Sequence, residues 1–242
     1  TDHNSYQGAL EAISYIQNIK LDLRVFIGLE LTAFHSKEIH IVGYFNQLDK
    51  IQYYEDFITN KRELHSERID NILSILKNNG IDITVDDMAE AGGYRAVHIA
   101  KSMVAKGIVE NEKEANDLYL GPDGIAYIKP VNSSPSECVE IIKKARGIAT
   151  LAHPGRIDMN NDNFTKLLDK LQKNGLDGIE CFYPEHSDEL TKYYCELCEK
   201  RNLLITGGSD YHGDSNHPSL SSSGLSNELY EKFIYEISHI GA

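Results

Sequence analysis

The sequence has too few basic residues for a broad nucleic-acid-binding surface. Its 242 residues include 24 lysines and arginines against 37 aspartates and glutamates, so the formal net charge is −13 with neutral histidines. Proteins bind phosphate backbones with clustered Lys and Arg, which neutralise the phosphates and release their counterions. A chain this acidic is not expected to cover a long nucleic acid, although metal ions could still hold a small phosphorylated ligand.

Long apolar runs are also missing. No stretch approaches the roughly 18 apolar residues that indicate a membrane-spanning helix, and the first residues lack the charged and apolar regions of a signal peptide. With 41% hydrophobic and 25% charged residues, the composition is typical of a globular protein with one sizeable core, or with a core and an inserted subdomain. We therefore predict a cytoplasmic protein with no membrane partner.

Cysteine is scarce. The four cysteines, at positions 138, 181, 195 and 198, show no disulfide framework. Cys195 and Cys198 form a CxxC inside a helical pattern, and no second CxxC follows that would complete a zinc site. We expect reduced thiols, as is usual in the cytosol.

The sequence does contain a repeated strand-then-helix pattern. Apolar strand patterns at 25–30, 147–152, 178–182 and 203–206 are bounded by glycines or charged residues, and helical patterns follow the last three. Such alternation predicts parallel strands wrapped by helices. A further strand is predicted at 40–45.

A long helical stretch interrupts this alternation. Apolar residues recur at spacings of three and four, as at Ile69, Ile72, Leu73 and Leu76, and no strand pattern breaks the segment. We predict two domains: a discontinuous α/β domain formed by 1–51 and 125–242, and an all-helical insertion formed by 52–124.

Imidazoles and carboxylates lie where the predicted strands end. In LLITGGSDYH, residues 203–212, an apolar strand stops at two glycines and is followed by Asp210 and His212, which point to the same side of an extended segment. Other predicted strand ends carry His3, Glu30, His153 and Glu180. Because the carboxyl ends of barrel strands form one mouth that holds the active site, we expect these side chains to share a site.

This mixture of side chains predicts a metal site. Imidazoles and carboxylates without cysteine suit Zn, Mn or Fe ions. A carboxylate such as Glu30 or Asp210 could bridge two ions, and such a pair activates water and stabilises both oxygens of an in-line displacement at phosphorus. A serine hydrolase is not indicated because no GxSxG is present. A dinucleotide-binding fold is not indicated because no GxGxxG follows a strand.

Five motifs resemble, in order, those of the PHP (polymerase and histidinol phosphatase) domain family. They are TDHNS at 1–5, GLE at 28–30, HIVGYF at 40–45, LAHPGR at 151–156 and GGSDYH at 207–212. The match is closest to the bacterial subgroup of nucleoside-bisphosphate phosphatases and 5′-to-3′ exoribonucleases, the TrpH-like proteins, which the RAVHIA segment of the insertion also resembles. The resemblance implies an α/β fold: a distorted (β/α)7 TIM-like barrel with an inserted all-helical subdomain.

The resemblance also implies two or three divalent metal ions, Mn, Fe or Zn. The implied ligands are His3, Glu30, His40, His153, Asp210 and His212. It adds His40, which strand position alone does not select. Asp210 and His212 are the implied catalytic residues, acting through metal-bound water.

Roles outside the metal site follow from the same motifs. The implied phosphate contacts are Arg156, just past the His-Pro turn, and Arg95 with His98 on the insertion. Glu180 has no ligand role in this mapping, so we expect it in the core or beside the ligands. The remaining histidines are expected at the surface: His35, His65, His186, His217 and His239.

The chain departs from the family pattern in two places. The family opens with a strand carrying His-x-His and then an aspartate, and this chain starts after that segment. We therefore expect the first barrel strand to be missing, through truncation of the sequence or through degradation of this copy. The loop before Tyr127 also lacks a basic residue that the subgroup often has, which bears on phosphate or nucleotide preference.

Residues and resemblance together predict a metal-dependent phosphoesterase. Its substrates would be small nucleotides, such as a nucleoside 3′,5′-bisphosphate or an AMP-like molecule, or the 5′ ends of short oligoribonucleotides. Two alternatives stay open: a histidinol-phosphatase-type monoesterase, and a truncated, catalytically impaired domain that binds a metal or a partner. The sequence does not indicate an oligomeric state.

Overall fold

The computed structural model describes residues 1–157, 159–213 and 218–240. His217, expected at the surface, lies outside these residues. The described chain forms two compact units, which we call the sheet unit (Thr1–Asp56 with Asn132–Ala242) and the helical unit (Phe57–Val131). The predicted domain division, 1–51 with 125–242 and 52–124, stays a prediction.

Six strands form one sheet in the sheet unit, in the order β1 to β6. Their bounds are β1 Asp2–His3, β2 Ile27–Phe34, β3 Glu38–Phe45, β4 Ile148–Leu151, β5 Gly178–Phe182 and β6 Leu204–Gly207. The helices are α1 Gln7–Ile19, α2 Gln52–Asn78, α3 Val85–Glu90, α4 Ala96–Ala105, α5 Glu112–Ala115, α6 Pro135–Lys144, α7 Asn161–Lys173, α8 Asp188–Arg201 and α9 Asn227–His239. A 3-10 turn covers Pro154–Arg156, and a π-helical turn covers Asn116–Leu120.

The sheet is mixed, because β3 departs from the parallel pairing predicted for the strand-then-helix units. The strand β3 is antiparallel to both β2 and β4, whereas the pairs β1–β2, β4–β5 and β5–β6 are parallel. The connection from Phe34 to Glu38 is a short turn, and a parallel crossover needs a dozen or more residues. A mixed α/β fold is thus confirmed, while closure into a seven-stranded barrel stays a prediction.

Opposite faces of the β2–β3 hairpin have different environments. Leu29, Leu31, Ile39 and Ile41 are fully buried, and alternation along a strand turns the residues between them to the other face. The helix α6 packs against β2, β3 and β4. Its start carries a capping box, because Ser134 Oγ accepts a hydrogen bond from the Glu137 N–H and Glu137 Oε2 accepts one from the Ser134 N–H.

The helical unit has a core of its own. Its buried apolar side chains include Ile72, Leu76, Met88, Ile99 and Met103, which come from the three helices α2, α3 and α4. Within the described residues, no helix combines the length and apolar content that crossing a membrane requires.

We expect substitution of Ile142 by Ala to destabilise the sheet unit. Ile142 on α6 is fully buried and lies against the backbone of Gly43 and Gly147, so truncation leaves a cavity beneath the hairpin. The expected loss in the free energy of unfolding is about 2–5 kcal/mol, measured by urea denaturation. Ile19→Ala is the matched control, because Ile19 is 52% exposed and should change stability by less than about 0.5 kcal/mol. Equal effects of the two substitutions would contradict this packing.

Candidate metal centre

Three imidazoles surround the carboxylate of Glu30. His40 Nδ1 lies 3.0 Å and His153 Nε2 lies 3.3 Å from Glu30 Oε1. His3 Nδ1 lies 3.3 Å from Glu30 Oε2. The two nitrogens that share Oε1 are only 3.1 Å apart, so nitrogen and oxygen donors converge on a small volume. The structure therefore brings together four of the six predicted ligands.

The strand register accounts for this convergence. Parallel pairing places His3 of β1 opposite Glu30 of β2. Antiparallel pairing places His40 of β3 opposite Thr32, two residues along from Glu30, so His40 and Glu30 share a face as diagonal neighbours. His153 lies two residues past the end of β4, and the Ala152 N–H between them extends the pairing by donating to the His40 carbonyl at 3.1 Å.

The backbone of His153 adopts an unusual conformation, with φ of 24°. Positive φ in a non-glycine residue costs of order 1–3 kcal/mol and persists only where the surroundings enforce it. Here the His153 N–H donates to Glu180 Oε2 at 2.7 Å. Glu180, which the family motifs leave without a ligand role, thus holds the loop that presents His153.

The cluster favours an ionised carboxylate. Burial opposes the charge on Glu30, but hydrogen bonds from His153 and His40 outweigh it and hold the pKa of this carboxyl well below its usual range. Burial also disfavours the charged form of His40, yet its contacts with Glu30 and Glu38 raise the pKa of this imidazole. Burial raises the pKa of Glu180 to about 7, against the opposing effect of the His153 N–H.

The donor set fits a divalent cation. Ligand atoms of His3, Glu30 and His40 all lie within 4.8 Å of one another, and His153 Nε2 joins them through its contacts with Glu30 and His40. Nitrogen and oxygen donors without sulfur suit Zn, Mn or Fe. A cation there would compensate the buried charge of Glu30, as the imidazoles do through their hydrogen bonds.

Asp210 and His212 line the same cleft as the ligand cluster. The cleft has a volume of about 580 Å³, and its lining includes His3, Glu30, His153, Asp210 and His212. The rings of His3 and His212 are 6.0 Å apart. Asp210 has a positive φ of 51°, and its carbonyl lies 2.7 Å from His212 Nδ1. The residues selected as strand ends thus line one cleft, although Glu30 and Glu180 lie in the middle of β2 and β5. Ligation by Asp210 and His212 stays a prediction.

The side chain of Arg156 contacts Asp210, which lines this cleft. Its NH1 lies 3.5 Å from Asp210 Oδ2, and its guanidinium lies over the Tyr183 ring at 5.2 Å from the centroid. Glu185 accepts two hydrogen bonds from it, at 3.1 Å from Nε and 2.7 Å from NH2. This pairing raises the pKa of Arg156 and lowers that of Glu185.

The other implied phosphate contacts, Arg95 and His98, belong to the helical unit. Arg95 is exposed at the start of α4, and its backbone N–H donates to His98 Nδ1 at 3.0 Å. This bond gives the His98 ring a capping position at the first turn of the helix. Their phosphate role stays a prediction.

His186, expected at the surface, is only partly exposed. Its Nε2 accepts a hydrogen bond from the Gly155 N–H at 3.2 Å, and its Nδ1 lies 2.9 Å from the Cys181 carbonyl. Burial lowers its pKa. Its position after β5 could have indicated a role near the site, because other candidate site residues also follow strands of this sheet. His35 and His239 are exposed, and His65 is partly exposed.

None of the four cysteines, all within the described residues, forms a disulfide. Cys181 and Cys198 are buried with their sulfurs 3.6 Å apart. Burial and this contact raise the pKa of Cys181, the contact being the larger cause. These thiols are separate from the donors of the cleft, which are nitrogen and oxygen atoms.

The fold and the cleft define an α/β protein with a histidine–carboxylate cluster suited to a metal ion, and comparisons with known proteins agree with that class. No family model matches the chain. It is 24% identical over 216 residues to the 5′-3′ exoribonuclease Rnm of Escherichia coli K12, covering 88% of this chain and 73% of the relative. It is 32% identical to the 3′,5′-nucleoside bisphosphate phosphatase of Chromobacterium violaceum over 116 residues, 48% of this chain and 40% of the relative.

A solved structure from Bifidobacterium adolescentis, described as a metal-dependent phosphoesterase, superposes with a TM-score of 0.64. It is 24% identical and covers 97% of this chain and 83% of that one, which shows a common fold. The names of the two sequence relatives are those of enzymes that hydrolyse phosphate esters.

We expect the substitution Glu30→Gln to weaken metal binding at least tenfold. The amide keeps the size of the side chain but removes the charge on which the three imidazoles converge, and even supporting residues of metal sites change affinity by about 10–100-fold. Manganese titration by calorimetry and metal content after dialysis measure the loss. Glu228→Gln is the control, because Glu228 is exposed at the start of α9. Unchanged manganese affinity in Glu30→Gln would rule out a site at this carboxylate.

Proposed function

We propose that the protein is a metal-dependent phosphoesterase that hydrolyses phosphate esters of small nucleotides or of the 5′ ends of short oligoribonucleotides in the cytoplasm. The observation that carries this proposal is the convergence of three imidazoles on the buried carboxylate of Glu30, with Arg156 reaching the same cleft. We propose the distorted (β/α)7 barrel of the PHP family as the fold that supports it.

Two or three divalent ions, Mn, Fe or Zn, would be held by His3, Glu30, His40, His153, Asp210 and His212. When bound, such ions activate water and stabilise the charge that develops on a phosphoryl group. Glu180 positions His153 by accepting its backbone N–H. The resemblance gives Asp210 and His212 their proposed place next to the reacting phosphate.

Arg156 is the proposed phosphate contact within the sheet unit. A guanidinium binds phosphate oxygens with a planar pair of donors, and the contacts with Glu185 and Tyr183 order that plane beforehand. Arg95 and His98 remain proposed phosphate contacts on the strength of the resemblance. Small substrates suit the net charge of −13, because a long nucleic acid would be repelled.

Hydrolysis of AMP and of a nucleoside 3′,5′-bisphosphate by the manganese-loaded protein tests this proposal. We expect His153→Ala to lower kcat/KM at least ~100-fold, which is equivalent to about 2.7 kcal/mol of transition-state stabilisation. The substitution removes a proposed metal-ligating nitrogen from the centre of the cluster. The control is His239→Ala, because His239 is exposed on α9 and should leave the rate unchanged. Preference for histidinol phosphate would favour the monoesterase alternative. Metal binding without any turnover would favour the impaired-domain alternative.

We expect Arg156→Lys to raise KM for nucleotides about tenfold, with a smaller effect on kcat. Lysine keeps the charge but cannot form the paired contact with a phosphate or with Glu185, and hydrogen bonds to charged groups contribute roughly 1.5–3 kcal/mol. Steady-state kinetics measure the change. Arg146→Lys provides the control, because Arg146 is exposed and paired with Asp49. Wild-type KM in Arg156→Lys would assign phosphate binding to other residues.

A further inference from the structure

A second cavity lies beside the cleft, and the mechanism above does not use it. It has a volume of about 380 Å³, and its lining includes Gly155, Asn161, Phe164, Leu190, Tyr193 and Tyr194. We call it the aromatic cavity. Its size falls within the range of about 300–1,000 Å³ that is typical of small-molecule sites, and its lining of aromatic rings with one amide is typical of them too.

The aromatic cavity opens near the edge of the sheet that carries the metal centre. Asn161 and Phe164 lie in the first turns of α7, and Leu190 and Tyr193 lie in the first turns of α8. These helices follow β4 and β5 along the chain. Their first turns therefore lie at the carboxyl ends of parallel strands, which is the edge where His153 and the residues after β5 are found.

The turn at 153–156 connects the two sites. Gly155 lines the aromatic cavity, while the next residue, Arg156, reaches Asp210. Consecutive Cα atoms are about 3.8 Å apart, so the backbone that lines the aromatic cavity is directly adjacent to the residue that reaches Asp210.

A line of rings forms the wall between them. The His153 and Tyr183 rings are 5.5 Å apart, Tyr183 and His186 are 5.2 Å apart, and His186 and Tyr194 are 5.2 Å apart. His186 is fixed in that wall by the Gly155 N–H.

The chemistry of the lining suits a nucleobase. Base stacking on an aromatic side chain tolerates every base, because each has a π-face. Tyr193 and Leu190 are each 38% exposed at the cavity, so their surfaces are open to a ligand. Asn161 offers an amide that both donates and accepts, as the polar edge of a base requires.

We infer that the aromatic cavity binds the nucleobase of a nucleotide whose phosphate is held at Arg156. This inference rests on the proposed function and assigns the base of its nucleotide substrate to a defined place in the fold, the first turns of α7 and α8. A nucleotide is then recognised at two points joined by one turn of backbone.

The test compares AMP with ribose 5-phosphate, which lacks the base, using the manganese-loaded protein. We expect Tyr193→Ala to raise KM for AMP roughly tenfold or more, as expected for loss of a stacking ring, and to leave ribose 5-phosphate kinetics unchanged. Tyr193→Phe keeps the ring and should retain the wild-type KM. An unchanged KM for AMP in Tyr193→Ala, with normal turnover, would overturn the base site and leave the phosphoesterase proposal intact.

Binding of adenosine, which has no phosphate, provides a readout that does not depend on turnover. Saturation-transfer NMR should show adenosine binding to the wild type and to Tyr193→Phe, and at least about tenfold weaker binding to Tyr193→Ala. If the protein hydrolyses neither phosphate but binds adenosine in this pattern, the phosphoesterase proposal fails and the base site stands. No adenosine binding to the wild type would overturn the base site.

Discussion

The site depends on keeping the carboxylate of Glu30 ionised although it is only 5% exposed. Removing a charge from water costs several kcal/mol, and that cost is offset only where hydrogen bonds and opposite charges are well placed. His40 and His153 supply those hydrogen bonds, and each comes from a different strand or strand end. The register of β1, β2, β3 and β4 is therefore coupled to the electrostatics of one buried side chain.

The antiparallel β3 strand makes this arrangement possible. His40 lies near the start of its strand, and reversal of strand direction brings that start to the edge where β2 ends. The rule that active-site residues follow the carboxyl ends of parallel strands selected His153 and Asp210, which line the cleft, and Glu30, which lines it from the middle of β2 rather than from its end. It could not select His40, because it assumes one direction for every strand. Only the resemblance to PHP motifs identified that residue, and the pairing gives the physical reason.

Other parts of the site could not be predicted because they depend on side-chain contacts between distant segments. The sequence identified Arg156 as a phosphate contact, but not its pairing with Glu185 or its position over Tyr183. His186 belongs to none of the five motifs, and its partial burial depends on the hydrogen bond that it accepts from the Gly155 N–H. The mixed α/β class and the cap of α6 could be predicted, since strand–helix alternation and capping are local in sequence. Closure into a barrel depends on hydrogen bonding between strands that are distant in the chain, and local sequence patterns do not specify those partners.

The turn after β4, residues 153–156, contributes to three parts of the site, and its geometry limits which substitutions it can accept. It presents His153 to the imidazole cluster, Arg156 to the wall with Asp210, and Gly155 to the aromatic cavity. At Gly155, an added Cβ would lie 2.7 Å from the His186 ring, so a side chain there would force the ring wall to shift. The positive φ of His153 costs free energy, which the hydrogen bond to Glu180 helps to offset. A change in this turn would therefore alter metal binding, phosphate binding and the cavity together.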